Sequence, residues 1–374
     1  MPSFPPLRPG RRAWLQANVA RLGRATVAAA VGGGVAAAWA NHGAAKTAVP
    51  ALWPVVLATP GPGSAVSAIP ELALRTGADR AEGLALRLKF TGGGGIAIRE
   101  ILNGNAQCGV FGITAAMHEN LHGAQLVALA AVEQRAPLSL MVRSDLSSQV
   151  RQVADLRGRV VGVHSNSATT MTNGQQVLTL LLRQHGLAAA EVRVVAAGQS
   201  WDTQSAALRS QLVDAVVSEE PFGQRMAQEG LAFALVRLGL ADQAVGLPGE
   251  GFLRGALIAP RALVQEQPEL AKRLVRMVQR TLAWRRAHST EQIVAMLGLQ
   301  GAERSAFAAM LQRYPQQFSD DGRFSEAQLR QTEQFFRESE SLAPAASQPG
   351  RAPAAQLGQL PAALVVDTWA GRKP

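Results

Sequence analysis

Asp155-Leu156-Arg157-Gly158-Arg159-Val160-Val161-Gly162-Val163-His164-Ser165-Asn166-Ser167-Ala168-Thr169-Thr170 is the stretch on which the fold turns. Its apolar run, Val160–Val163, reads as a buried strand. The hydroxyl and amide residues that follow are of the types that cap helices, here a helix expected over 171–185. A strand feeding a helix start leaves unpaired N–H groups and the positive end of the helix dipole at the junction, which suits an anion or a polar ligand group. Ser165, Asn166, Ser167 and Thr169 are therefore candidate ligand contacts. Capping alone would also account for Ser165, Asn166 and Ser167. What favours a ligand is that the chain repeats the arrangement.

Upstream, residues 52–59 read as a strand closed by Pro60-Gly61-Pro62-Gly63, and a helix capped by Ser67 follows until Gly77. Residues 84–90 alternate apolar and polar side chains as a half-buried strand does. Thr91-Gly92-Gly93-Gly94-Gly95 then opens a helix over 96–102, and its glycines let backbone N–H groups come close to a ligand. The Gly-Lys-Ser/Thr ending of a nucleotide loop is missing, and the spacing is not that of a dinucleotide site. A strand over 107–113 ends beside Thr114, and residues 125–132 and 138–142 are further strands.

Beyond Arg143 the pattern restarts with a helix at 150–156, the quoted strand, a strand at 192–196, a helix at 203–211 and a strand at 213–218 that runs into Glu219-Glu220-Pro221-Phe222. The twofold rhythm predicts an α/β protein of two lobes, with parallel sheets and ligand loops at the carboxyl ends of the strands. Lobe 1 is expected over 50–142 and 251–340, and lobe 2 over 143–250. A long amphipathic helix over 268–288 shows solvent Lys272, Arg273, Arg276, Arg280, Arg285 and Arg286. Residues 341–360 read as an Ala/Pro-rich linker, and Leu364-Val365-Val366 suggests that the tail, 361–374, docks again.

With 374 residues, 47% of them hydrophobic, the chain is long enough for two lobes. Half of its +10 charge comes from Arg8, Arg11, Arg12, Arg21 and Arg24, in a forty-residue start without an acid. Arg11-Arg12-Ala13-Trp14-Leu15-Gln16 before an Ala/Gly-rich run resembles a twin-arginine export signal, expected over 1–40 with cleavage after Ala40. The remaining positive bias is too small to argue for nucleic acid, and no recognition motif for it is present. A single cysteine, Cys108, rules out an intrachain disulfide.

Four segments carry a family resemblance. They are Glu100-Ile101-Leu102-Asn103-Gly104-Asn105-Ala106-Gln107-Cys108-Gly109-Val110-Phe111-Gly112, the quoted Asp155-to-Val163 run, the strand at 213–218 with Glu220-Pro221-Phe222, and the helix after Pro268. In this order and spacing, the chain from about Leu52 to Trp369 resembles substrate-binding proteins of ABC transporters in the nitrate, sulfonate and taurine group. The resemblance implies the type II periplasmic binding protein architecture: two Rossmann-like lobes joined by a hinge that closes on a small molecule. It also implies a periplasmic monomer that needs no cofactor, performs no catalysis and has an inner-membrane ABC permease as partner. The expected ligand is small and polar, an anion such as a sulfonate, nitrate or taurine. Thr59, Gly93, Gly94 and Thr114 would form one wall of its site, with Ser165, Asn166, Ser167 and Thr169 opposite. Glu220 is placed to hold an amine instead. Cys108 stands where the family commonly has an acid, and Tyr314 is the only tyrosine, so an aromatic lining falls to Trp201, Trp53 or Phe222.

Two enzyme readings compete. His118-Glu119-Asn120-Leu121-His122 matches H-E-x-x-H, in which two imidazoles on one helix face hold zinc and the glutamate activates water, as in a zinc hydrolase. The helix is short before Gly123, and the extended motif with a third histidine is absent. Cys108 as the nucleophile of a sulfinate-cleaving enzyme needs a basic neighbour or a helix start to lower its pKa, yet it opens an apolar strand. Neither reading displaces binding, and no metal is expected.

Overall fold

Ten strands build two five-stranded sheets. The chain lays down β1 (Trp53–Thr59), β2 (Leu84–Phe90), β3 (Cys108–Gly112) and β4 (Leu126–Glu133) in the first sheet. It then crosses to the second for β5 (Leu138–Arg143), β6 (Val160–Val163), β7 (Arg193–Ala196), β8 (Ala215–Glu219) and β9 (Ala232–Arg237), and returns for β10 (Gly255–Pro260). The orders are β2-β1-β3-β10-β4 and β7-β6-β8-β5-β9. This is a computed structural model, and it describes residues 51–165, 172–240, 242–342 and 364–373. The expected export signal, most of the expected linker, and Asn166, Ser167 and Thr169 lie outside the described residues.

The sheets are not purely parallel, as the strand–helix rhythm had suggested. β10 runs against β3 and β4, and β5 against β8 and β9. The reason is geometric. Each of these is the first strand after a crossing, so the chain leaves one sheet at a strand's carboxyl end and enters the other at the edge facing the same gap. The entering strand must then run away from the gap. The crossing also corrects the expected boundary at 143, because β5 already belongs to the second sheet and the chain changes lobes at 134–137. All six residues of β5 are buried. Leu140 and Val142 pack into one apolar cluster of the lobe, and Met141 into the cluster on the other face. β9 was not anticipated; after the buried Ala232 its residues are half-buried at the sheet's edge.

Local corrections follow from capping. The helix after β6 is Asn173–Gln184, and its start is capped by Thr172, whose hydroxyl accepts a bond from the Gln175 N–H, rather than by Ser165, Asn166 or Ser167. The first helix, Ala65–Thr76, has Ser64 rather than Ser67 at its N-cap position, and it ends on Gly77 at φ 73°, a left-handed conformation that glycine adopts without a Cβ clash. The helix expected at 150–156 shrinks to a 3-10 turn, Val153–Leu156. Tail residue Val365 bridges Ala128 of β4, and Arg372–Lys373 pairs with Phe324–Ser325.

The second crossing, residues 238–254, is pinned by Phe252, whose ring stacks on Phe335 at 3.9 Å. Such a pair adds about 0.5–1.5 kcal/mol beyond its buried area. Phe335 belongs to the helix Glu326–Ser341, so a helix late in the chain inserts into the core of the second lobe.

Candidate functional site

Carboxyl ends of strands from both sheets meet at one gap, and the residue at its base is Arg254, just before β10. Its guanidinium donates from Nη1 to Glu133 Oε2, at the end of β4, and from Nη2 to Glu219 Oε2, at the end of β8. One cation thus holds a carboxylate from each lobe. Both carboxylates are fully buried and Arg254 is 3% exposed. Gln317 Nε2 also donates to Glu133 Oε1 at 2.8 Å. The backbone joins in: Arg254 N–H donates to Glu133 O at 2.9 Å, and Ile113 N–H to Arg254 O at 3.0 Å.

Burial pushes the carboxyls of Glu133 and Glu219 up, with the Arg254 charge pulling the other way. Burial opposes the charged form of Arg254, but its two acids outweigh that and hold its pKa above the usual value. His164, the residue after β6, has Nε2 3.6 Å from Glu219 Oε2. Burial, helped by the charge of Arg254, depresses its pKa to about 3, so it is neutral at pH 7.

Around this base lies a narrow cavity. Lobe 1 lines it with Pro60, Gly94, Gly95, Gly112 and Ala115; lobe 2 lines it with His164, Thr172, Asn173 and Gln199. The helices Gly94–Leu102 and Ile113–Leu121 begin here, and neither start carries a side-chain cap. Apart from the Ile113 N–H, which donates to Arg254 O, their first-turn N–H groups are donors that a ligand can use. The walls already touch. Thr114 Oγ1 donates to Gln176 Oε1 at 2.6 Å and accepts from Asn173 Nδ2 at 3.0 Å. A Cβ placed on Gly112 would stand 2.0 Å from Asn173 Oδ1, so a larger residue here would require Asn173, whose Nδ2 is bonded to Thr114, to shift. Gln199, after β7, donates from Nε2 to His164 O at 2.9 Å, while its buried Oε1 has no hydrogen-bond partner among the described residues. The donor to His164 O must be the NH2 group, which fixes the amide's orientation.

The sequence-predicted residues divide. Gly94 lines the cavity, Gly93 caps its helix directly against Gln199, and Thr114 ties the two lobes together. Ser165 is buried, and its carbonyl accepts from Gly198 N–H at 2.8 Å. The Thr59 hydroxyl is spent inside lobe 1, on Ser67 Oγ at 2.9 Å and Val110 O at 3.1 Å. The Glu220 carboxylate accepts from Ser139 Oγ at 2.8 Å and Gln224 N–H at 2.7 Å, away from the cavity. Trp201 does not line the cavity, and the Arg225 guanidinium covers its ring at 3.9 Å. Phe222 is in the core, and Trp53 lies 5.5 Å from Arg273. Arg254, Glu133, Glu219, His164 and Gln199 were missed as site residues. For Glu133, Glu219 and Arg254 the signal was a charge abutting an apolar strand, which burial obliges to find a partner; His164 and Gln199 carried no such signal.

The competing chemistries find little support. His118 Nδ1 meets Glu340 Oε1 at 3.1 Å, and no third ligand joins His118 and His122 among the described residues. Cys108 is fully buried, and burial pushes its thiol up to about 12, far from a reactive thiolate.

The family described as NMT1/THI5 like matches residues 77–292. No curated protein matches the chain by sequence. Among solved structures, a protein of Bordetella bronchiseptica RB50 is 20% identical, with 85% of this chain and 95% of that one covered and a TM-score of 0.72. The alkanesulfonate-binding protein SsuA from Xanthomonas axonopodis pv. citri, bound to MOPS, is 19% identical over 82% of this chain and 99% of its own, with a TM-score of 0.60. The periplasmic nitrate-binding protein NrtA from Synechocystis PCC 6803 is 11% identical over 84% and 86%, with a TM-score of 0.61. At such identities the likeness establishes the fold, that of the periplasmic binding proteins.

Proposed function

Because the chain belongs to the NMT1/THI5-like family, we propose that it is the solute-binding component of an ABC importer. It takes a small polar molecule into the cleft between its sheets and presents the closed form to an inner-membrane permease. The observation that carries this reading is the gap itself: Arg254 joins an acid from each lobe at the base of a cavity lined by two uncapped helix starts and by buried, neutral polar side chains. Such a site offers hydrogen bonds in a space that closure can seal from water. The two crossings, at 134–137 and 238–254, serve as the hinge. In this reading the protein works in the periplasm, in keeping with the twin-arginine-like start of the chain, and is expected to act as a monomer.

Alkanesulfonate and nitrate, bound by the similar structures, set the first ligand panel. In thermal unfolding, some small solute should raise the midpoint saturably, since a ligand taken by the folded state alone stabilises it. A broad panel of polar solutes that leaves the midpoint unmoved would count against the reading.

A further inference from the structure

We infer that a cavity between the helix Ala65–Thr76 and the edge strand β2 binds a small amphipathic acid, a molecule with an apolar body and one anionic head. The cavity belongs to lobe 1 alone, so the inference stands apart from the cleft and from what the cleft takes.

The walls follow from two periodicities. Glu71, Leu74 and Arg75 stand at i, i+3 and i+4 on one helix face, and Leu86, Leu88 and Phe90 alternate onto one strand face. The two faces line one space of about 570 Å³, within the range of roughly 300–1,000 Å³ usual for small-molecule sites. β2 ends its sheet, so no further strand brings a helix over this face. Leu74 is consequently 37% exposed and Phe90 45% exposed. Apolar side chains of that size gain when an apolar body displaces the water over them.

The charges select the head. Arg75 and Arg87 line the cavity, and Glu71 is the one acid among the lining residues. Arg87 is exposed, and its guanidinium has no hydrogen bond or ion pair among the described residues. The Glu71 carboxyl accepts from the Gly63 N–H, and burial lifts it to about 7. Glu303, the neighbouring acid, rests against Gly63 and does not line the cavity. Two guanidiniums less one carboxylate give the lining a charge of +1, and of +2 when Glu71 is protonated. The lining is positive either way. An anionic head beside Arg87 gains a charge-assisted pair that a neutral or cationic head lacks.

The test is calorimetric titration of the full chain with octanoate, kept below micelle formation, against acetate, octylamine and phosphatidylglycerol vesicles. Octanoate should bind saturably and at least about tenfold more tightly than acetate, which lacks the body, or octylamine, which reverses the charge of the head. Arg87→Ala should weaken octanoate binding about tenfold, while Arg87→Lys keeps most of it. Phe90→Ser should weaken it about fivefold or more. Both side chains are exposed, so neither change threatens the core. Unchanged octanoate affinity in Arg87→Ala or in Phe90→Ser would place the binding elsewhere and overturn the inference. Equal binding of octylamine would overturn it too, as would capture by the vesicles without saturable binding of octanoate, or no octanoate binding at all. Each of these failures leaves the solute-binding reading of the cleft standing.

Discussion

Replacing Arg254 by methionine removes a cation that holds an acid from each lobe. The side chain is 3% exposed, and its partners Glu133 and Glu219 are fully buried. Two unit charges 4 Å apart interact by about 4 kcal/mol at an effective dielectric constant of 20. Breaking a buried pair from one side typically costs about 3–5 kcal/mol, because the remaining charge has no partner. Here two carboxylates are left, and they repel each other. They escape by taking up protons, which limits the loss to roughly the cost of one broken pair. At roughly 2–3 °C per kcal/mol for a chain of this size, the unfolding midpoint should fall on the order of 10 °C at about pH 8. The pH dependence carries the reasoning. Burial already raises both carboxyls, and without the guanidinium they rise further. A carboxyl raised in the folded state costs nothing below its unfolded pKa, and the penalty grows as pH climbs through the folded value. The deficit should therefore shrink toward pH 5, and adding Glu133→Gln and Glu219→Gln should recover most of it at pH 8. Calorimetry or circular dichroism across pH reads this directly. A midpoint within about 2 °C of the parent at pH 8, or a deficit equal at both pH values, would refute the argument.

Burial lifts Glu71 to about 7, against the Gly63 backbone bond and the charge of Arg75. Its raised pKa favours the folded state below the unfolded value, and that advantage is lost as pH rises through 7. Glu71→Gln should thus stabilise by about 1–2 kcal/mol at pH 8, allowing for solvent screening of a partly exposed group, and by almost nothing near pH 4; equal effects at both would count against it. Gly112→Ala sets a methyl 2.0 Å from Asn173 Oδ1 and should hold the lobes apart. Ligand affinity should drop about tenfold or more, with a larger radius of gyration in the presence of ligand, and unaltered affinity would show that ligand closure does not need this contact. Cys108, at 0% exposure with its thiol pushed up to about 12, should resist a thiol reagent at pH 8 until the chain unfolds; rapid native labelling would contradict the burial.

The strand–helix alternation exposed most elements, since β2 and the quoted β6 announce themselves by alternation or by a short apolar run before capping residues. β5 shows the limit of that signal. A strand buried on both faces has no polar side to say which sheet it serves, so Leu138–Arg143 fits either lobe until its partners are known. The same ambiguity misdirected the choice between adjacent acids. Glu219 and Glu220 both follow the apolar part of β8, yet one residue of strand reverses the side chain's direction, sending Glu219 to Arg254 and Glu220 to Ser139. The H-E-x-x-H match errs in a related way: i,i+4 spacing places two imidazoles on one face, but a third ligand comes from elsewhere in the fold, and here His118 finds Glu340 instead. Glu133, Glu219 and Arg254 belong to three distant segments, and what brings them together is the pair of reversed strands, β5 and β10, that turn the ends of two sheets toward one gap. Short-range pattern locates strand ends. Which ends face each other is a property of the crossings, and the chemistry of this cleft resides there.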